Sequence, residues 1–274
     1  SLYYEPMSLS APTGDQVQLR VHAAGLNFSD VLKAMGLYPG ITDAVVPLGI
    51  ECSGRVTAVG PEVSDFEVGD EVMGVAPFSF GSHATTPQYT LIRRPDSVDP
   101  VDAASVPIAF LTAWHALARL ADVQPGERVL IHAGAGGVGL AAIQIAKYLG
   151  AEIFATAGST TKRDFIREAG ADHVFNSRTT QFADQIRDVT GGEGIDVVLN
   201  SLPGEAIDKS LSILRAYGRF LEIGKTDIYQ NRPIGLAPFQ DNLSYHAIDL
   251  DRVLRQRPQV IRKLFAELSE RFAA

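Results

Sequence analysis

The sequence predicts an α/β fold, a β-rich region followed by a doubly wound parallel sheet, on three observations. Its first third reads as short strands broken by turns, strand and helix alternate from about Arg128 onward, and a glycine-rich turn opens the first of those helices. In the first third, residues 16–23 alternate with Val17, Leu19 and Val21 turned inward, and residues 51–59 and 71–75 read similarly. Pro39 with Gly40, Gly60 with Pro61 and Gly69 with Asp70 punctuate these runs. The second region begins with the apolar strand 129–133 and a helix around 140–149. Strands are predicted at 152–157, 173–175, 195–200 and 219–223, with helices at 162–169, 181–189 and 205–214 between them. Several of these strands are continuous apolar runs, which suits burial on both faces under crossover helices. The tail, 258–272, puts Ile261, Leu264, Phe265, Leu268 and Phe272 at helical spacing, with Pro258 acceptable in the first turn, so this helix needs a packing partner. The expected division is a β-rich domain over 1–108, an α/β domain over 109–247, and a last segment with the C-terminal helix over 248–274.

At 274 residues the chain can bury a sizeable core without disulfides or metal clips. Its single cysteine, Cys52, can supply neither an internal disulfide nor a multi-cysteine zinc site, and a reducing cytoplasmic setting is expected. No apolar run is long enough to span a bilayer and residues 1–12 carry no signal-peptide pattern, so no membrane association is expected. With 24 Lys and Arg against 32 acids, a net charge of −8 leaves no basic footprint for nucleic acid. A small molecule or another protein is the expected partner.

Gly134, Gly136 and Gly139 form G-x-G-x-x-G directly after a strand and at the mouth of a helix, with Gly137 and Val138 completing the turn. The three glycines allow a tight turn, close approach to a pyrophosphate and close packing of helix on strand, with phosphate at the positive helix end. About twenty residues on, an NAD-binding chain would present an acid to the ribose. Gly158 and Ser159 stand there instead, followed by Lys162 and Arg163, with Arg178 further along. A small residue leaves room for a 2′-phosphate that Lys162 and Arg163 would neutralise, which favours NADPH. The alternative is that these cations simply solvate a helix start, where the dipole disfavours them unless an anion is present.

Residues 27–40 (NFSDVLKAMGLYPG), 132–139 (HAGAGGVG), 199–202 (LNSL), 218–227 (GRFLEIGKTD) and 243–250 (LSYHAIDL) resemble the enoylreductase domains of type I polyketide and fatty acid synthases, and the likeness runs through the whole chain. The resemblance implies the medium-chain dehydrogenase/reductase fold, a Rossmann domain inserted in a GroES-like substrate domain. Two departures stand out. Ile50 occupies a position where zinc-dependent relatives have a histidine, and the cysteine-rich structural lobe is missing, so no metal is expected. Relatives also continue past the tail helix, so both ends look trimmed.

The implied chemistry is delivery of a hydride from NADPH to the β-carbon of an enoyl thioester on acyl carrier protein, and of a proton to its α-carbon. Neighbouring synthase domains are the other expected partners. Tyr38, Lys225 and Asp249 match family positions proposed for catalysis: Tyr38 as proton donor on a turn set by Pro39 and Gly40, Lys225 as stabiliser of the developing oxyanion, and Asp249 as its partner. Asn27 and Thr112 match positions lining the nicotinamide pocket, and Asn200, Ser201, Leu202, Ile223 and Gly224 lie at strand ends beside it. A turn asparagine or a helix threonine is otherwise commonly a backbone cap. His132 falls inside an apolar strand and reads as a core residue, while the other histidines show no ligand spacing. Two further readings share the fold: a free-standing quinone or 2-alkenal reductase, and a catalytically silent NADPH-binding domain.

Overall fold

The structure is a computed structural model that describes residues 4–38 and 46–273. Pro39 and Gly40, expected to set the turn at Tyr38, lie outside the described residues. The chain divides into two compact units, Ser1–Leu111 with Leu250–Ala274, and Thr112–Asp249.

Up to Leu111 the elements are β1 (Gln16–Ala24), α1 (Phe28–Ala34), β2 (Glu51–Val59), β3 (Glu71–Val75), β4 (His83–Pro87), β5 (Leu91–Arg93) and α2 (Pro100–Ala104). The helix α3 (Pro107–Trp114) crosses the unit boundary and runs on as a π-helical segment over His115–Leu120. In the second unit follow β6 (Arg128–Ile131), α4 (Gly137–Tyr148), β7 (Glu152–Ala157), α5 (Thr160–Glu168) and β8 (His173–Asn176). They continue with α6 (Phe182–Val189), β9 (Ile195–Asn200), α7 (Glu205–Leu211), β10 (Leu214–Glu222), α8 (Thr226–Tyr229) and β11 (Ser244–Ala247). The chain ends with α9 (Leu250–Gln256) and α10 (Pro258–Ala273).

The first unit is built on an antiparallel sheet of order β4-β1-β2-β3-β5. Its alternation is what the sequence predicts: Val17 and Leu19 are buried with Cys52, Val56, Val72 and Leu91, and Val21 packs against that cluster. Helix α10 lies against β5 and the turn Gln88–Thr90, burying Ile261, Leu264, Phe265 and Leu268. Phe272 meets Phe110 edge-on with ring centroids 5.4 Å apart. The amphipathic tail therefore finds its partner in the first unit.

The second unit carries a parallel sheet of order β11-β10-β9-β6-β7-β8. Leu130, Phe154, Val198 and Phe220 build the core on one face with Phe182, Ile186, Ile207 and Leu211 from the helices. After β6 the chain winds through β7 and β8 on one side, then returns to β9 on the other, so strand order reverses between β6 and β9. The crevice outside such a reversal is where doubly wound sheets bind ligands.

Two predicted elements need correction. The helix over 205–214 stops at Leu211, because Leu214 already pairs with Ile195 as the start of β10. The ladder then breaks until Arg219, with Tyr217 at φ +65° inside the irregularity. The strand over 129–133 ends at Ile131, where Ala133 takes φ +50° to turn the chain into the glycine loop.

Candidate active site

The glycine turn links β6 to α4. At Gly139 a side chain would collide with the Ala133 carbonyl and the Gly134 backbone, and at Gly134 an added Cβ would press on Ala155 and Ile166 at 3.3 Å. Nothing lies within 4 Å of an added Cβ at Gly137, so the mouth of the helix is open. Gly136 caps α4 without a side-chain acceptor, and the first helical N–H groups, on Gly137, Val138 and Gly139, are ones that helix geometry leaves without an intrahelical acceptor. A concave, positive backbone edge of this kind fits a dinucleotide pyrophosphate.

The end of β7 supplies the second half. Here Ser159 caps α5, its Oγ accepting from Lys162 N at 3.3 Å. A side chain at Gly158 would sit 2.7 Å from Arg178 Nε, so the guanidinium of Arg178 lies over the position where an acid would stand. Arg163 turns back on the same corner, donating to the Ala157 carbonyl at 3.3 Å and to Thr160 Oγ1 at 3.0 Å. The Lys162 residue is exposed. The structure thus gathers Arg163 and Arg178, fifteen residues apart in sequence, about one small residue.

At the carboxyl ends of β9 and β10 the loops converge. Lys225 follows β10, and its Nζ donates to Asp249 Oδ1 at 2.9 Å, both side chains being partly exposed. Asn200 ends β9 fully buried and closes a local turn: its Nδ2 donates to the Leu202 carbonyl at 2.9 Å while its Oδ1 accepts from Leu202 N at 3.1 Å. Ser201 lies inside that turn. Ile223 N donates to the Asn200 carbonyl at 3.0 Å, tying the two strand ends together. Glu222, which sequence reasoning passed over, sits beneath them. Burial, with a smaller push from Asp227, raises its carboxyl to about 7 against the opposing hydrogen bonds of Asn200 and Gly224.

His132 is buried as expected, hydrogen-bonded through Nδ1 to Thr156 Oγ1 at 3.0 Å and through Nε2 to Ser210 Oγ at 2.9 Å. Burial pushes its pKa down to about 3, so the ring stays neutral and structural.

In the first unit, the Tyr38 hydroxyl donates to Asp251 Oδ2, and Lys33 Nζ lies 5.5 Å from the centre of its ring. The sequence reading did not find Asp251, since 213 positions separate it from Tyr38. Asn27 precedes α1 as its N-cap, the alternative the sequence offers for it: its N–H donates to Asp30 Oδ2 at 3.0 Å, and its Nδ2 donates to Glu51 Oε1 at 2.7 Å. Glu51 also accepts from Ile108 N at 2.8 Å, and burial above all raises its carboxyl to about 7. Thr112 is buried on α3, within the second unit.

Two family models match the chain. Residues 13–92 match the alcohol dehydrogenase GroES-like domain, and residues 137–270 match the zinc-binding dehydrogenase model. Among solved structures, CurK enoyl reductase is 43% identical with a TM-score of 0.90, the match covering 99% of this chain and 83% of that one. The chain belongs to the polyketide synthase enoyl reductases of the medium-chain dehydrogenase/reductase superfamily. JamJ enoyl reductase in its apo form is 38% identical with a TM-score of 0.88, over 97% of this chain and 82% of that one. A mycobacterial protein, Rv1454c, whose structure is complexed with NADPH, is 29% identical with a TM-score of 0.86, over 97% and 83% of the two chains. A phenolphthiocerol/phthiocerol polyketide synthase of Mycobacterium tuberculosis is 48% identical over 262 residues, 96% of this chain. The phthioceranic/hydroxyphthioceranic acid synthase of Mycobacterium bovis is 44% identical over 264 residues. The enoyl reductase spans 12% of the length of these curated relatives. It is therefore an oxidoreductase of a family that works with a nicotinamide cofactor, and the glycine turn at α4 fits one.

One of the matching models is named for zinc, and among the described residues no cluster of His, Cys, Asp and Glu fits that metal. Ile50 has no ligating atom, and Cys52 points into the apolar core, where burial pushes its thiol up to about 12. Activity is expected to survive prolonged dialysis against a strong chelator. A loss restored by added zinc would overturn that expectation.

Proposed function

We propose that the chain reduces α,β-unsaturated acyl thioesters presented by acyl carrier protein, with NADPH as the reductant. The observation that carries this reading is the Lys225–Asp249 pair, 2.9 Å apart at the carboxyl end of the sheet whose central strand leads into the dinucleotide turn. When bound, the nicotinamide supplies the hydride to the β-carbon. Hydride addition builds negative charge on the thioester oxygen, and the Lys225 ammonium, oriented by Asp249, meets that charge. The Tyr38 phenol, on rotating out of its hydrogen bond to Asp251, provides a proton for the α-carbon and is left as the phenolate. Gly137, Val138 and Gly139 would hold the pyrophosphate by their N–H groups, and Thr112, Asn200, Ser201, Leu202, Ile223 and Gly224 would line the nicotinamide end. The polyketide relatives support the carrier-bound substrate and neighbouring synthase domains as partners.

Preference for NADPH over NADH rests on the corner at Gly158. A charge-assisted hydrogen bond is worth about 1.5–3 kcal/mol, so one contact from Arg163, Arg178 or Lys162 to the 2′-phosphate gives at least about a tenfold preference. Titration of both cofactors against the unmodified protein should show that gap, and replacing Arg163 and Arg178 by alanine together should narrow it. Equal affinities in the unmodified protein would contradict the assignment. The substrate class is tested by comparing kcat/KM for a crotonyl thioester with that for a simple quinone and a 2-alkenal. A thioester that is the poorest of the three would hand the chain to quinone or alkenal reduction.

A further inference from the structure

Glu222 is the last residue of β10 and is 3% exposed, an acid sunk at the end of the strand that leads to Lys225. Both of its oxygens are occupied. Oε2 accepts from Asn200 Nδ2 at 2.6 Å and Oε1 accepts from Gly224 N at 2.6 Å. The parallel register pairs Glu222 with Asn200 directly, and the Asn200 amide in turn holds Leu202 by its N–H and its carbonyl. A side chain at Gly224 would lie 2.7 Å from Glu222 Oε1, so the glycine is required by the close approach of the carboxylate. One buried acid therefore ties the turn after β9 to the turn after β10.

A buried carboxylate is weak evidence of stability, because its desolvation offsets what its hydrogen bonds return, and well-packed apolar groups commonly serve as well. What it provides here is geometry. We propose that Glu222 is a positioning residue for reduction: it fixes the turns carrying Ser201, Leu202, Gly224 and Lys225 in the one arrangement that receives the nicotinamide and places the Lys225 ammonium. The inference rests on the reading that a nicotinamide cofactor binds at this edge of the sheet.

The clamp also carries a pH dependence. Two N–H donors face the carboxylate, so the ionised form serves both and protonation turns one acceptor into a hydroxyl. The groups facing Glu222 are neutral Asn200 from β9, Asp227 from α8 with Arg232 Nε 3.5 Å from it, and Tyr245 from β11, itself pushed up to about 12. With the Glu222 carboxyl raised to about 7, the clamp is intact above that pH and loosens as pH falls through it.

The test is Glu222→Gln in the full chain, with NADPH as the binding probe. The amide keeps the volume but offers one acceptor, so its NH2 must face either the Asn200 amide or the Gly224 N–H, donor against donor. The expected result is a folded protein whose NADPH affinity and kcat each fall by about tenfold or more, the worth of one charge-assisted bond. The acid limb expected of the unmodified enzyme near pH 7 should be absent from the variant. Asn200→Ala breaks the same clamp from β9 and should reproduce the joint loss even where Glu222→Gln does not fold. A folded Glu222→Gln protein with unchanged NADPH affinity, kcat and pH profile would overturn the inference while leaving the cofactor reading standing. So would failure of both variants to fold, since the clamp would then be structural. An unmodified protein that binds no NADPH would remove the cofactor reading and this inference with it.

Discussion

Replacing Lys225 by alanine should lower kcat for a crotonyl thioester by a factor of about a hundred to a thousand, the usual worth of one preorganised donor to a developing oxyanion. The lysine is held at a defined point because its ammonium pairs with Asp249 at 2.9 Å. A free lysine on a strand-end loop would sample many rotamers and spend little time over a thioester oxygen. Asp249→Asn removes the charge that fixes the ammonium but leaves a hydrogen-bond acceptor, so it should give a smaller loss in the same direction. Steady-state kinetics on both variants, with folding checked by circular dichroism, measure this. A loss below about tenfold for Lys225→Ala would mean that water or a main-chain donor serves the oxygen, and Lys225 would drop out of the chemistry.

For Tyr38→Phe the expected change is in stereochemistry as well as rate. The ring and its packing remain, while the hydroxyl that donates to Asp251 is lost. The phenol has one proton, which the structure turns to Asp251 Oδ2, so one-sided delivery to the α-carbon requires the hydroxyl to rotate out of that bond while the ring keeps its place. General acid catalysis is worth about a hundred to ten thousand fold, and an unpositioned water recovers only part of that. The variant should therefore reduce a 2-methyl-enoyl thioester more slowly and give a mixture of configurations at the methyl-bearing carbon, read by chiral analysis of the product. Asp251→Asn keeps the phenol and should fall between the two proteins in selectivity. Unchanged rate together with unchanged configuration would reduce Tyr38 to a packing residue.

Those parts of the fold whose chemistry is local were legible in the sequence. The alternation of Val17 and Leu19, the glycines at 134, 136 and 139, and the helical spacing of Ile261, Leu264, Phe265 and Leu268 each follow from the period or conformation that a few neighbouring residues impose. Short polar strands were not. The β4 segment, HATTP, and β11, SYHA, are strands only because β1 and β10 offer them a free edge, a fact that no local pattern records. Helix α1 was missed for a similar reason: its Phe28 and Val31 are exposed, so its apolar residues do not mark an inward face.

The candidate site divides in the same way. Lys225 and Asp249 could be named from the motifs that carry them, and the structure brings them into one ion pair. Glu51 and Glu222 went unnoticed because an acid at the rim of an apolar strand reads as the solvated end of that strand. Only the tertiary structure shows each one buried and receiving an asparagine amide, Asn27 in one unit and Asn200 in the other. Arg178 gained its physical reason from the structure alone, since its guanidinium reaches the corner at Gly158 through the packing of β8 beside β7.

The central claim is reduction of an enoyl thioester by NADPH, and the most direct measurement is loss of NADPH absorbance by the unmodified protein on adding a crotonyl thioester, with mass analysis of the acyl product. Thioester-dependent oxidation of NADPH, with one butyryl thioester formed for each NADPH consumed, is the predicted result. Tight NADPH binding with no turnover on that substrate, or on its carrier-bound form, would contradict the claim and leave a nicotinamide-binding domain without this chemistry.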